Sequence, residues 1–306
     1  MLIAAVVGVV VSHNRRQSLP SPSPAPRSEP SQIAVKPVEP KDAPLGPMPV
    51  DIPDAVAVVC GADGATADRY EARNDALRSI ARQRDLPPRD VAALIAYLRA
   101  PDESMRVERV AALKNDVMNL LRFQRPPPSG LAETLAGMFE GGGHPPAVLD
   151  YCIQHLGAML GGIADGDLRR RVRAVLVGAA RQADRPYSGT ALYSLADDGR
   201  ASPEEEAELR RLAVALCRPG VNSAARMSAM QLAGERGYGE VLPILRESLS
   251  APGRGAVLDI VCIGTLGLLG DAEDLAALSR FAEAGGRRAH AAETAIRRIK
   301  ERSNGR

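Results

Sequence analysis

A helix-closing leucine recurs through most of this chain. Leu121, Leu156, Leu195, Leu232 and Leu266 each end an apolar stretch, and Ile296 takes the equivalent place last, at intervals of 35, 39, 37, 34 and 30 residues. A period of about 30 to 47 residues is that of helical hairpins set in a row, where no hairpin can bury its apolar face alone and each buries it against the next. A chain that repeats this way is constrained to build its core as successive layers, each touching only its neighbours. The stretch Asn115-Asp-Val-Met-Asn-Leu-Leu121 aligns with Asp150-Tyr-Cys-Ile-Gln-His-Leu156 at one such step without a gap.

The repeat is clearest after residue 222. Ala225-Arg-Met-Ser-Ala-Met-Gln-Leu232-Ala-Gly-Glu-Arg-Gly237 precedes an apolar helix over 240 to 249. Ile260-Val-Cys-Ile-Gly-Thr-Leu266-Gly-Leu-Leu-Gly270-Asp271 precedes another over 275 to 284. Each unit pairs an apolar helix, closing on small residues and glycine, with a tight turn and a second apolar helix. The pattern resembles the HEAT-like repeats of the armadillo-type superfamily, with Leu266-Gly267 through Gly270-Asp271 closest to their first helix and turn. The resemblance implies an all-α fold: an α-solenoid of about six to seven antiparallel helical hairpins over residues 61 to 306, ended by a C-terminal capping helix.

Composition agrees on fold class. Aromatic residues make up 3% of the chain and Trp is absent, while Ala, Leu, Arg and Gly dominate. Sheets draw on aromatic and β-branched residues, and Ala and Leu favour helix. Apolar spacing of three to four residues predicts hairpins of 105 to 123 with 130 to 139, 146 to 163 with 167 to 182, and 187 to 198 with 203 to 217. Further hairpins are predicted at 222 to 235 with 240 to 249 and at 256 to 269 with 272 to 284, and a last helix over 288 to 301. Helical pattern begins near Thr66, and Pro87 and Pro88 open a helix carrying Val91, Leu94, Ile95 and Leu98. Ser202-Pro203-Glu-Glu-Glu206 reads as a helix start, with a serine cap, proline in the first turn and acids at the positive end of the dipole.

The first sixty residues differ in character. Residues 2 to 11 are an unbroken apolar run, followed by Arg15 and Arg16. Ten residues of helix reach about 15 Å, half of a bilayer's hydrocarbon core, so residues 1 to 16 read as a targeting or anchor segment rather than a complete span. Residues 17 to 60 carry a proline every few positions, which reads as a disordered, partly polyproline linker. The expected localisation is the cell envelope, anchored or exported.

Residues for chemistry are few. Cys152 and His155 lie three apart on a predicted helix, half of a zinc site, but no second pair accompanies them; they read as a core cysteine and a hydrogen-bonded histidine. Cys60, Cys217 and Cys262 have no paired spacing. Gly141-Gly-Gly-His144 follows no strand and lacks the Lys-Ser/Thr of a phosphate loop, so it reads as a turn. No catalytic residue, metal or cofactor is expected. Arg169, Arg170 and Arg173 can share one helix face while Leu168, Val172 and Val175 turn inward with Leu176 at the border. In the resembled family the second helices line a concave face, which makes these three arginines the candidate contacts for a protein partner. A net charge of +2 and scarce aromatics argue against nucleic acid. The resemblance thus implies a non-catalytic scaffold that binds a protein. The alternative it offers is that of HEAT-like members acting as lyases or assisting modification of a chromophore protein.

Overall fold

The computed structural model describes residues 51–304 apart from 63, 65 and 251–254. The expected targeting segment and most of the expected linker lie outside those residues. Fourteen α-helices follow one another: α1 Ile52–Val59, α2 Tyr70–Ile80, α3 Pro88–Arg99, α4 Val107–Arg122, α5 Gly130–Gly141, α6 Pro146–Leu160 and α7 Gly166–Ala180. After them come α8 Tyr187–Ala196, α9 Pro203–Leu216, α10 Ser223–Arg236, α11 Leu242–Ser250, α12 Ala256–Leu269, α13 Leu275–Glu283 and α14 Gly286–Asn304. The described residues contain no strand, so the fold is all-α. None of their helices is long and apolar enough to cross a membrane.

Two boundaries differ from expectation. Helical structure starts with α1 at 52–59, inside the stretch read as linker, and the helix expected from near Thr66 begins at Tyr70. Pro53 does not break α1 because it sits in the first turn, where its missing amide hydrogen has no partner to lose, and Asp51 caps the end. Val56 and Val59 of α1 are buried in the core.

The main helix contacts are between near neighbours in sequence order. Many consecutive helices pack together, α1 on α2, α5 on α6, α7 on α8 and α13 on α14 among them, but the expected partners α4 and α5, α10 and α11, and α12 and α13 meet little; the even-numbered helices stack directly, α2 on α4, α4 on α6, and so on to α12 on α14. The helix-closing leucines sit on this row. Leu121, Leu156, Leu195, Leu232 and Leu266 are all buried, one each on α4, α6, α8, α10 and α12. On α14 the buried places go to Ala295 and Ile299, and Ile296 is half-buried.

Glycine brings the row close. A Cβ on Gly189 of α8 would lie 2.7 Å from Ser228 Oγ and 3.1 Å from Ala225 Cα of α10. A Cβ on Gly234 of α10 would lie 2.9 Å from Leu268 Cδ1, and one on Gly267 of α12 would lie 2.8 Å from Ala295 Cβ and 2.9 Å from its Cα. Gly157 of α6 stands against Ser194 of α8 in the same manner. Carbon contacts are ordinarily about 3.5–4.0 Å, so at Gly157, Gly189 and Gly267 the helix comes close to the next one's backbone where only hydrogen fits, while Gly234 makes room for the Leu268 and Thr265 side chains.

Helix C-termini leave carbonyls without an intrahelical partner. Here cations from later in the chain supply some of it. Arg73 Nε donates to Val59 O at the end of α1 (2.9 Å), and Lys114 Nζ to Leu98 O (2.9 Å) and Ala100 O (2.5 Å) at the end of α3. Arg200 reaches Leu160 O (3.0 Å) and Ile163 O (2.9 Å) past α6, Arg226 reaches Cys217 O past α9, and Arg236 reaches Ala196 O at the end of α8. Arg302 donates to Gly267 O and Gly270 O, both at 2.7 Å, at the end of α12. A positive charge at the negative pole of a helix stabilises it by about 0.3–1 kcal/mol, and more when partly buried.

Candidate interaction surface

The arginines at the start of α7 do not form one open face. Asp165 begins the helix, its side chain accepting from the backbone of Asp167 and Leu168. Arg169 then turns toward α9, with Nη2 2.5 Å from Asp198 Oδ2 and a side chain 17% exposed. Arg173 follows one turn later, Nε 2.7 Å from Glu205 Oε1 and Nη1 3.8 Å from Asp198 Oδ2, its side chain 8% exposed. Asp198 is completely buried between them. Positions 169 and 173 lie on the side of the helix that packs on the next hairpin, so acids there pair with them inside the fold. Arg170 faces solvent and pairs with Asp167 one turn back. Leu176, expected at the border, is fully buried. Arg171, not singled out in the sequence, ties α7 to α5 through Glu140 (2.6 Å) and Glu133 (3.8 Å).

Toward the N-terminus a second polar cluster is buried. Arg73 binds Asp102 (2.9 Å), Ala67 O and Ser104 Oγ, and its guanidinium lies 5.1 Å from the centre of the Tyr97 ring. Burial works against charge on Asp102, but hydrogen bonds from Ser104 and Arg73 and the Arg73 charge outweigh it and hold the carboxyl below its ordinary range. Lys114, 1% exposed, is pushed down to about 8, mainly by burial. The carbonyls it holds identify it as a helix clamp rather than an accessible base.

Cys152 is wholly buried, and burial raises its thiol to about 12. His155 Nε2 stands 3.1 Å from Asn115 Oδ1 of α4. Burial, with the Arg122 charge second, lowers the imidazole to about 4, so it is neutral near pH 7. All four cysteines are free thiols. Among the described residues no three His, Cys, Asp or Glu side chains gather as a metal site would require.

Gly141-Gly-Gly-His144 forms the turn from α5 to α6, with Gly142 in the left-handed region at φ +68°. A hollow of about 330 Å³ lies on one side of His144, beside Arg99, Thr134 and Met138, and one of about 300 Å³ on the other, beside Phe139, Gln182 and Tyr187. Their polar groups bond one another: Arg99 Nη2 to Thr134 Oγ1 at 2.7 Å, and Tyr187 Oη to Gln182 Oε1 at 2.6 Å.

The exposed feature that sequence reasoning missed is Phe123. It follows α4 and is 48% exposed, with the Arg122 guanidinium 4.4 Å and the Arg84 guanidinium 5.3 Å from its ring centre. The signal was present: it is one of three phenylalanines in the chain, inside Arg122-Phe-Gln-Arg-Pro-Pro-Pro128. Few aromatics overall drew attention away from the one that is displayed. Compared with known proteins, the chain matches no family model, no curated protein and no solved structure.

Proposed function

We propose that this chain is an α-solenoid of HEAT-like repeats that serves as a non-catalytic scaffold for another protein. In this reading the residues before 51 target it to the cell envelope and act as a tether. The observation that supports it most is the contact order. The main helix contacts lie between nearest or next-nearest neighbours in sequence, and along the even-numbered row a glycine sits at the close approach from α6 onward. Such a layered stack presents long helix rows and short turns to solvent, a large surface for the number of residues that build it.

Capture from host extract by the immobilised full chain, followed by cross-linking, tests the function. The expected result is one reproducible partner cross-linked to helix rows or turns. A chain that retains no partner in any growth condition, but turns over a small molecule or modifies a protein substrate, would sink the scaffold reading in favour of the lyase-like alternative. Architecture is tested separately by removing α14, then α13 with it, then the hairpin before. A solenoid loses stability in steps while the remaining hairpins stay helical, and a single-core domain unfolds at the first cut.

A further inference from the structure

Two loops at one end of the N-terminal hairpins are locked side by side. Gln124 is buried and donates from Nε2 to Gln83 O (2.9 Å) and Leu120 O (3.0 Å), while its Oε1 accepts from Leu86 N (2.8 Å). Arg125 N donates to Arg84 O at 2.8 Å. The lock fixes residues 81–87 against 123–128 and displays what they carry. Arg82, Arg84 and Arg125 are exposed, and Arg122 is half-buried beside the ring of Phe123.

None of these four arginines has an acid partner among the described residues, whereas Arg169, Arg171, Arg173, Arg210 and Arg246 are all paired with carboxylates. Asp85, in the same loop, pairs with none of them. Four guanidiniums without a carboxylate partner therefore stand together beside one exposed ring.

We propose, resting on the scaffold reading, that this loop pair is the docking surface for an acidic segment of a partner protein. Carboxylates of the segment seat on Arg84 and Arg125, and an apolar side chain covers Phe123. A guanidinium fork matches a carboxylate with two parallel hydrogen bonds, and Arg and aromatic residues are the types enriched in interface centres. The ring holds the Arg84 and Arg122 guanidiniums over it, which lessens the freedom Arg84 loses on binding. A protein segment fits better than a nucleic-acid strand. Strand binding relies on stacking successive bases on several aromatics, and this patch offers one.

The test pans the immobilised full-length chain against displayed random short peptides, with Arg84→Ser/Arg125→Ser and Phe123→Ser variants alongside, each checked for unchanged helicity. Selected peptides are expected to carry two or more Asp or Glu beside an aliphatic or aromatic residue. They should bind both variants about tenfold more weakly, a loss near 1.4 kcal/mol, and bind less tightly as salt rises. Selection of no peptide, or of peptides indifferent to these substitutions, would overturn the proposal. So would an oligothymidine that displaces the peptides and binds the same residues more tightly. A partner captured from extract equally well by wild type and both variants overturns this surface and leaves the scaffold reading standing. Capture of nothing by any form strikes the scaffold reading itself.

Discussion

Adding one methyl group at two positions of α12 should move stability in opposite directions. At Gly267 the new Cβ would lie 2.8 Å from Ala295 Cβ and 2.9 Å from Ala295 Cα. Carbon atoms rest at about 3.5–4.0 Å, so the deficit is roughly 0.6–1.2 Å, and it falls on the backbone of α14 rather than on a side chain that can turn away. Overpacking of this kind costs about 1–3 kcal/mol. Replacing a helical glycine by alanine returns about 1 kcal/mol through the unfolded chain. The net expectation for Gly267→Ala is a loss of up to about 2 kcal/mol. Gly264, one turn earlier, meets no atom of the surrounding structure within 4 Å. There the same substitution has only the helix-propensity gain, so Gly264→Ala should stabilise by about 0.4–1 kcal/mol. For a folded region of this size a change of 1 kcal/mol shifts the melting temperature by about 2–4 °C. Urea and thermal unfolding followed by circular dichroism would resolve the two variants on opposite sides of wild type. Equal shifts in one direction would refute the claim that α12 and α14 touch backbone to backbone at Gly267.

Three other perturbations follow from the same geometry. Arg173→Met should destabilise by about 2–3 kcal/mol in urea unfolding, because Glu205 loses its close cationic partner and Arg169 is left as the one cation on the buried Asp198; Arg170→Ser should stay within about 0.5 kcal/mol. His155 binds a proton only below about 4 in the folded chain but below about 6.5 when unfolded, so the stability it contributes is full above about 6.5 and drains away as pH falls toward 4. His155→Gln should therefore show a decline between pH 7 and pH 4.5 that is shallower than wild type by about 1–3 kcal/mol, and parallel curves would contradict it. Arg302→Ala should release the Gly267 and Gly270 carbonyls, cost about 1–2 kcal/mol, and speed amide hydrogen exchange at the end of α12 more than at its start.

The helices were legible because their signal is local. Period-3.6 apolar spacing, the Ser202 cap and the proline starts of α3 and α9 lie within a few residues of what they determine. Ser202 N meets Glu205 Oε2 at 2.8 Å and Glu205 N meets Ser202 Oγ at 3.2 Å, as the sequence of that start implies. The repeat interval was legible too, since each helix-closing leucine answers to the next copy of itself. What the sequence hid was which charges face each other across a turn of the stack. Arg169 and Asp198 are 29 residues apart, and nothing near either position reveals that the other is its partner. Three arginines in a helix look like a basic face until the opposite hairpin is set against them. The displayed set at Phe123 was hidden for the same reason, because its members come from two loops that Gln124 joins across 38 residues.

The long-range helix clamps also set an order of events during synthesis. The carbonyls at the end of α6 wait for Arg200, 40 and 37 residues later, those of α8 for Arg236, 40 later, and those of α12 for Arg302, 35 and 32 later. At about 5–20 residues per second, a ribosome delivers each clamp roughly 2–8 s after the helix it completes. The ends of these three helices therefore emerge with those carbonyls still waiting for a partner from a later stretch of the chain.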